Sequence, residues 1–188
     1  MFTTKVRRLI IILALRLFDG YKRARLLKRI NYFNRIGDNC YLGTVNFGSE
    51  PFLISFGDNV GLGTGVRFIN HDMSADMISI KQHGVSDRLS YYGSISIGSN
   101  VFIGADTVIL PGVTIGSNVV VGAGAIVARD LDSNGVYVGA GKFVKSFSEF
   151  ESKITHDSEK QRKSELQSSL IDNGFCLRKP GDITNISR

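Results

Sequence analysis

Proline, cysteine and histidine are scarce in this chain of 188 residues, which holds 3, 2 and 3 of them. With so little proline, and with 21 glycines falling at regular positions, a low-complexity linker is set aside and ordered backbone turns are expected. Cys40 and Cys176 lie far apart and make neither a C-x-x-C nor any other metal-ligand spacing. They read as reduced thiols of a cytosolic protein, with Cys40 buried in a repeat. Long hydrophobic runs are missing too: residues 9–15 are seven apolar residues, far short of the ~20 needed to span a bilayer. A short basic stretch precedes that run, as in a secretory signal, yet Asp19-Gly20-Tyr21-Lys22-Arg23 is no small-residue cleavage site. The length allows one domain with short appendages.

Acidic residues are nearly absent from one end. Residues 1–35 carry ten Lys and Arg against Asp19 alone, a charge of +9, so the remaining residues of a chain of net charge +6 sum to −3. Attraction to anionic surfaces therefore belongs to the N-terminal segment, and the body is not read as a nucleic-acid binder. Two readings stand for residues 1–30. A basic helix with an apolar stripe fits the interface of an anionic membrane, and the same helix also suits a cap over the first turn of the body with its basic face in water. The expected location is cytoplasmic, with peripheral contact at the inner face of the membrane under the first reading.

What is abundant is repetition. Ile36-Gly37-Asp38-Asn39-Cys40, Phe56-Gly57-Asp58-Asn59-Val60, Ile97-Gly98-Ser99-Asn100-Val101 and Ile115-Gly116-Ser117-Asn118-Val119 are four spellings of one phrase. From Ile97 apolar residues return every six positions, at Ile103, Ile109, Ile115, Val121 and Val127. A small or branched partner stands four places after each, at Val101, Thr107, Val113, Val119, Ala125 and Leu131. Six-residue units of this kind suit very short strands joined by corners, where glycine accepts positive φ and asparagine tolerates the left-handed region. Three units close a triangular coil of 18 residues, and coils stack at the strand spacing of ~4.8 Å. The expected fold is mainly β, a left-handed parallel β-helix, with a basic N-terminal helix and a C-terminal helix or tail. Its hand departs from the right-handed crossover rule, which a single tight corner in place of a crossing helix allows. No unit buries its apolar face alone, so the ends need caps. The basic helix suits one end and residues 141–153 the other.

Phase along the chain locates the interruptions. Ile36 and Leu42 are two residues out of register with Phe56 and Leu62, which places a small insertion or bulge between Gly43 and Ile54. The larger break follows Phe68, and residues 74–90 form an excursion if Ile95 holds the fifth place of a degenerate unit. Residues 157–170 are polar with mixed charge and read as a solvated helix, with disorder or a partner-dependent tail beyond Asn173. The organisation expected is 1–35 basic helical segment, 36–145 β-helix with its excursion, and 146–188 polar tail.

Two places offer chemistry. Asn70-His71-Asp72 stands at the root of the excursion, where a histidine suits a general base because its ordinary pKa lies near neutrality. A lone surface histidine is the plainer alternative. Gly104-Ala105 and Gly122-Ala123 are 18 residues apart, so they stack at equivalent corners and leave a column almost free of side chains. A long, thin ligand fits along it through exposed backbone groups. Corner geometry alone is the plainer account of such small residues.

At these residues the chain resembles the hexapeptide-repeat acyltransferases, and within them the sugar O-acetyltransferases of maltose, galactoside and surface-polysaccharide type. The resemblance covers residues 36 to about 145 and is most specific over 97–130, in Ile109-Leu110-Pro111-Gly112-Val113-Thr114-Ile115-Gly116 and Val121-Gly122-Ala123-Gly124. It implies acetyl transfer from acetyl-CoA, as co-substrate and without a metal, to a hydroxyl of a sugar or glycan, with the hydroxyl proton taken by His71. Asn70 and Asp72 would orient the base or the acceptor. Gly104, Ala105, Gly122 and Ala123 would line the pantetheine arm, Phe102 the acetyl end, and Ala128 and Arg129 the nucleotide, where a guanidinium pairs well with phosphate. Ala128 lacks the hydroxyl common at that place, and Gly139-Ala140-Gly141-Lys142-Phe143 lacks the family's closing proline. Trimers with the site between subunits are implied as well. A non-catalytic scaffold or glycan-binding module is the alternative from another class, and a γ-type carbonic anhydrase is less well matched because it needs three coil-matched histidines.

Overall fold

In the computed structural model, which describes residues 17–163, short extended stretches alternate with tight corners, and each stretch pairs with its counterpart one coil away. Strands β1 (Arg35–Ile36), β3 (Ile54–Phe56), β8 (Ile95–Ile97) and β11 (Thr114–Ile115) make one side. A second side stacks β2 (Tyr41–Leu42), β4 (Val60–Leu62), β9 (Val101–Ile103), β12 (Val119–Val121) and β14 (Gly135–Val138). The third contains β5 (Arg67–Phe68), β10 (Val108–Ile109) and β13 (Ile126–Val127). All these ladders are parallel. The result is a three-sided parallel β-helix.

Register follows the sequence pattern and its breaks. The separation between stacked corner residues is 20 at the first step, 41 across the excursion, 18 in the regular run and 16 at the last step. The first step is two residues longer than a regular coil because a 3-10 turn, Pro51–Leu53, occupies the insertion expected between Gly43 and Ile54. The last step is two residues shorter. Leu131 bridges to Ile115, so it opens the final coil and is not the fifth-place partner of Val127 that six-residue spacing predicts. Both positions take a buried aliphatic side chain, which is why composition alone does not separate them.

The corners divide their work differently from expectation. Asn39, Asn59, Asn100, Asn118 and Asn134 occupy the left-handed region, with φ of 55° to 66°, and their amides form a ladder from Asn59 to Asn134 at 2.8–3.0 Å. The preceding glycines do not have positive φ. They are small because the next coil lies against them: a Cβ on Gly57 would stand 2.7 Å from the Gly98 carbonyl carbon, and one on Gly116 would stand 2.6 Å from the Ser133 nitrogen. Gly57→Ala is therefore expected to force the coils apart and to lower stability by about 1–3 kcal/mol, read as a shift of the urea midpoint at constant slope.

Inward residues fill the triangle. At the N-terminal end it is aromatic, with Phe56 5.0 Å from Phe33 and 5.8 Å from Phe68 between ring centroids, and Phe47 packed against Phe33 and Phe68. Toward the other end Ile97, Ile103, Ile109, Ile115, Val121 and Val127 replace them, all buried. Each such side chain contributes about 1.5–3 kcal/mol.

Helix α1 (Gly20–Arg29) closes the first coil. Asp19 caps it by accepting from the Lys22 N–H at 2.9 Å, and Ala24 and Leu27 enter the core. Arg23 is buried with them; its guanidinium donates to the carbonyls of Leu42 and Thr44, which belong to the open edge, and to Phe18 O at 2.9 Å. Those bonds satisfy carbonyls that no preceding coil reaches. At the far end β15 (Lys142–Ser146) runs antiparallel on β14. The second unit of the chain begins at Ser148. Helix α3 (Phe147–Lys163) starts ten residues earlier than the polar pattern predicts, and residues 164–170 of that expected helix lie outside the described residues, as does everything expected beyond Asn173.

The excursion is more ordered than a loop. β6 (His71–Asp72) and β7 (Tyr91–Tyr92) pair antiparallel at its root, His71 opposite Tyr92 and Asp72 opposite Tyr91. Between them runs α2 (Ser74–His83), ended by Gly84 at φ 73°. The helix buries Asp76 and Ser79 while exposing Met77, Ile78 and Ile80, an inverted pattern that hides it from a search for an apolar stripe.

Candidate active site

His71 follows β5 by three residues, at the point where the chain leaves the solenoid. Its side chain is 31% exposed, and Nδ1 lies 2.8 Å from Oε2 of Glu50, whose own side chain is 16% exposed. A carboxylate only accepts hydrogen bonds, so in the neutral imidazole this contact puts the proton on Nδ1 and the lone pair on Nε2. Tyr92 lies on the other side, its ring centroid 5.4 Å from that of the imidazole. The imidazole is thus held by a carboxylate at Nδ1 and flanked by a ring, an arrangement that suits general-base chemistry at Nε2.

Glu50, the partner of His71, is the candidate-site residue that sequence reasoning misses. It stands at the N-terminus of the Pro51–Leu53 turn, which exists because of the two-residue insertion. That insertion was the available signal, but phase says only where residues are added and not what they face.

Asn70 and Asp72 point elsewhere. Asn70 is 2% exposed, and neither its Oδ1 nor its Nδ2 has a hydrogen-bond partner among the described residues. Its Oδ1 lies so close over Gly48, at φ 70°, that no Cβ fits there. The side chain thus wedges the segment that leads to Glu50. Asp72 accepts from the hydroxyl and the N–H of Ser74 at the start of α2. Those two bonds, the hydroxyl's first, hold its carboxyl below the usual range. Cys40 is buried, and desolvation pushes its thiol up, which makes it a poor nucleophile. Among the described residues no three His, Cys, Asp or Glu side chains group as a metal site.

The column of small residues lies at a different corner, between the second and third sides. Gly104 meets the backbone of Ala123, whose Cα would be 2.7 Å from an added Cβ, and Gly63 meets Ala105 in the same way, so the column extends one coil further than the two predicted pairs. Ala123 is exposed, and Gly124 has open space where a Cβ would be. The N–H groups of Ala105 and Ala123 make no hydrogen bond among the described residues. Phe102, 52% exposed, covers Gly61 with its ring on the same side of the solenoid. These features fit a slender ligand that carries amide groups, such as a pantetheine arm, with an apolar end against Phe102. Ala128 is exposed, and Arg129 donates to Gly141 O at 3.3 Å, which draws its guanidinium to the C-terminal corner.

Within one chain the two halves do not meet. Ala105 precedes β10 by three residues and His71 follows β5 by three, with Val108 paired to Arg67, so the column and the histidine stand at opposite ends of the third side, up to about 23 Å apart at ~3.3 Å per extended residue.

Residues 94–129 match the family described as bacterial transferase hexapeptide (six repeats). The chain is 40% identical to protein CapG of Staphylococcus aureus over 133 residues, 69% of this chain and 75% of that one. It is 33% identical over 146 residues to the galactoside O-acetyltransferase of Lactococcus lactis, 66% of this chain and 67% of that one. Among solved structures, a galactoside acetyltransferase in complex with coenzyme A superposes with a TM-score of 0.56 at 25% identity, covering 78% of this chain and 82% of that one. A maltose O-acetyltransferase from Clostridium difficile gives 0.54 at 26%, covering 74% and 85%. The chain belongs to the hexapeptide-repeat acetyltransferases.

Proposed function

We propose that this protein is an O-acetyltransferase that moves an acetyl group from acetyl-CoA to a sugar hydroxyl of a surface polysaccharide or its lipid-linked precursor, at the inner face of the membrane. The observation that carries the mechanism is the Glu50–His71 pair. His71 Nε2 takes the proton of the acceptor hydroxyl as its oxygen forms a bond to the thioester carbonyl carbon. The resulting imidazolium is stabilised by the Glu50 carboxylate. When the C–S bond breaks, the same proton goes to the departing sulfur and His71 returns to its neutral form. The activated acyl group is what acetyl-CoA supplies. The chain contributes the groove of Gly104, Ala105, Gly122 and Ala123, the ring of Phe102, and the cationic side chain of Arg129 for phosphate.

The separation of groove from base supports a homotrimer in which His71 of one protomer faces the Gly-Ala column of the next. The outer surfaces agree with it. Outward residues of the first side are Arg35, Ser55, Ser96 and Thr114, which suit water, whereas the second side exposes Tyr41 and Phe102, and the third exposes Ile126 and, two coils away, Ile69. A closed ring presents one apolar side to the other. The excursion adds Met77, Ile78 and Ile80. The coil is taken as left-handed, on the strength of the family and of corners turned by a single asparagine. Residues 1–35, 36–145 and 146–188 then act as cap and anchor, catalytic body and tail.

The test is incubation of the purified protein with acetyl-CoA and a panel of glycans, following free thiol and the mass of the product. Acetylated glycan with equimolar thiol is expected. No thiol release with any acceptor, together with no binding of coenzyme A at millimolar concentration by calorimetry, would favour a glycan-binding scaffold instead.

A further inference from the structure

Helix α1 uses its apolar face to close the solenoid, which leaves its other face without a structural task. Gly20, Arg23, Ala24 and Leu27 point into the body. At 100° per residue Lys22, Arg25 and Arg29 fall on the opposite side, and all three are exposed, while Tyr21 at the flank packs its ring 5.1 Å from that of Tyr41. Lys22 pairs with Asp19 at 3.5 Å and Lys28 with Asp38 at 2.6 Å, whereas Arg25 and Arg29 form no ion pair among the described residues. Leu17 and Phe18 are exposed at the start of the helix. In the sequence they continue the apolar residues 9–15, which Lys5, Arg7, Arg8 and Arg16 flank.

We infer that the α1 end of the solenoid is a docking surface for an anionic lipid bilayer, with the Lys22, Arg25 and Arg29 face against the headgroups and the exposed Leu17 and Phe18 as the inserting part. This deepens the membrane-proximal part of the proposed function. Lying flat on its own apolar face, the usual mode of an interfacial helix, is closed to α1 because Ala24 and Leu27 are already buried. The charge distribution selects the partner: +9 in residues 1–35 against −3 elsewhere turns only this end toward an anionic surface. The exposed Leu17 and Phe18, preceded in the sequence by seven consecutive apolar residues, have a use in lipid that a polyanion such as nucleic acid does not offer.

The surface also bears on the acceptor. Glu50 belongs to the first coil and His71 to the second, so the pair lies one or two coil steps of ~4.8 Å from α1, and the helix itself is ~10 Å across. The base then stands about 20 Å from the bilayer. That height suits a sugar held on a membrane-embedded lipid carrier.

Flotation of the full-length protein with vesicles tests this. The wild type is expected to float with equimolar phosphatidylglycerol and phosphatidylcholine at ~0.1 M salt and to stay behind with phosphatidylcholine alone. Each basic residue near such a surface is worth about fivefold in partitioning, so Arg25→Glu with Arg29→Glu is expected to reduce the bound fraction at least about tenfold. Leu17→Asp is expected to weaken flotation as well. Both variants are expected to keep wild-type activity on a soluble acceptor. Failure of the wild type to float with phosphatidylglycerol vesicles would overturn the inference, as would unchanged flotation of the double variant. Retention on duplex DNA without flotation would assign the basic face to nucleic acid and overturn it too. Charge-dependent flotation by a protein that acetylates nothing would leave the docking surface standing and remove the proposed reaction.

Discussion

Replacing His71 with alanine is expected to lower kcat about 10²- to 10⁴-fold, the usual worth of general-base assistance, which is about 3–5 kcal/mol of barrier. Affinity for acetyl-CoA should change little. Within one chain the Gly-Ala column lies at the other end of the third side, and in the proposed trimer His71 meets the thioester end of the coenzyme held by the next protomer and not the arm that the column would hold. Folding should be intact as well, because the imidazole is partly exposed and outside the packed interior. The measurement is a pair: steady-state kinetics for kcat and calorimetry for coenzyme binding, both on the purified variant. A variant with full activity would remove His71 as the base. A variant that loses coenzyme binding along with kcat would move His71 from the chemistry to the groove.

The solenoid itself was legible because its constraints repeat. An inward aliphatic every sixth residue, a glycine where coils touch and an asparagine where the chain turns left-handed are each dictated by local geometry, and stacking multiplies each signal. Asn100, Asn118 and Asn134 bond to one another because they solve the same corner in successive coils. Where a feature occurs once, this amplification is lost. Leu131 fits two places in the repeat, and only its bridge to Ile115 shows that the last coil is two residues short. The Gly57 and Gly116 corners mislead in another way: glycine is required there by the backbone of the next coil and not by φ, and a sequence pattern cannot distinguish the two needs. Helix α2 is obscured because its buried residues are Asp76 and Ser79, with Ser86 donating to both oxygens of Asp76. Of the candidate site, His71 and the Gly-Ala column could be found from position. The partner of His71 could not, since Glu50 reaches it across 21 residues through a turn that breaks the period. Asn70 and Asp72, adjacent to His71 in sequence, serve a wedge against Gly48 and the start of α2.

Glu50→Gln isolates what that partner contributes. Glutamine has the same length and still offers an oxygen to Nδ1–H, so the imidazole keeps its orientation while losing the negative charge beside it. A hydrogen bond to a charged group is worth about 1.5–3 kcal/mol. The charge matters only once His71 has taken the proton, so the loss should appear as roughly a 10- to 100-fold fall in kcat, with KM for acetyl-CoA close to wild type. Glu50→Ala should do more, because it also removes the contact that sets the tautomer and leaves Nδ1–H half-buried without an acceptor. A purely architectural role for Glu50, as the residue that starts the Pro51–Leu53 turn, predicts a different pattern: Gln and Ala would lower the melting temperature in step with activity. Measuring kcat, KM and melting temperature for the two variants separates the cases. Loss of kcat in Glu50→Gln at unchanged melting temperature assigns Glu50 to the support of the imidazolium, and an active Glu50→Gln enzyme overturns that assignment.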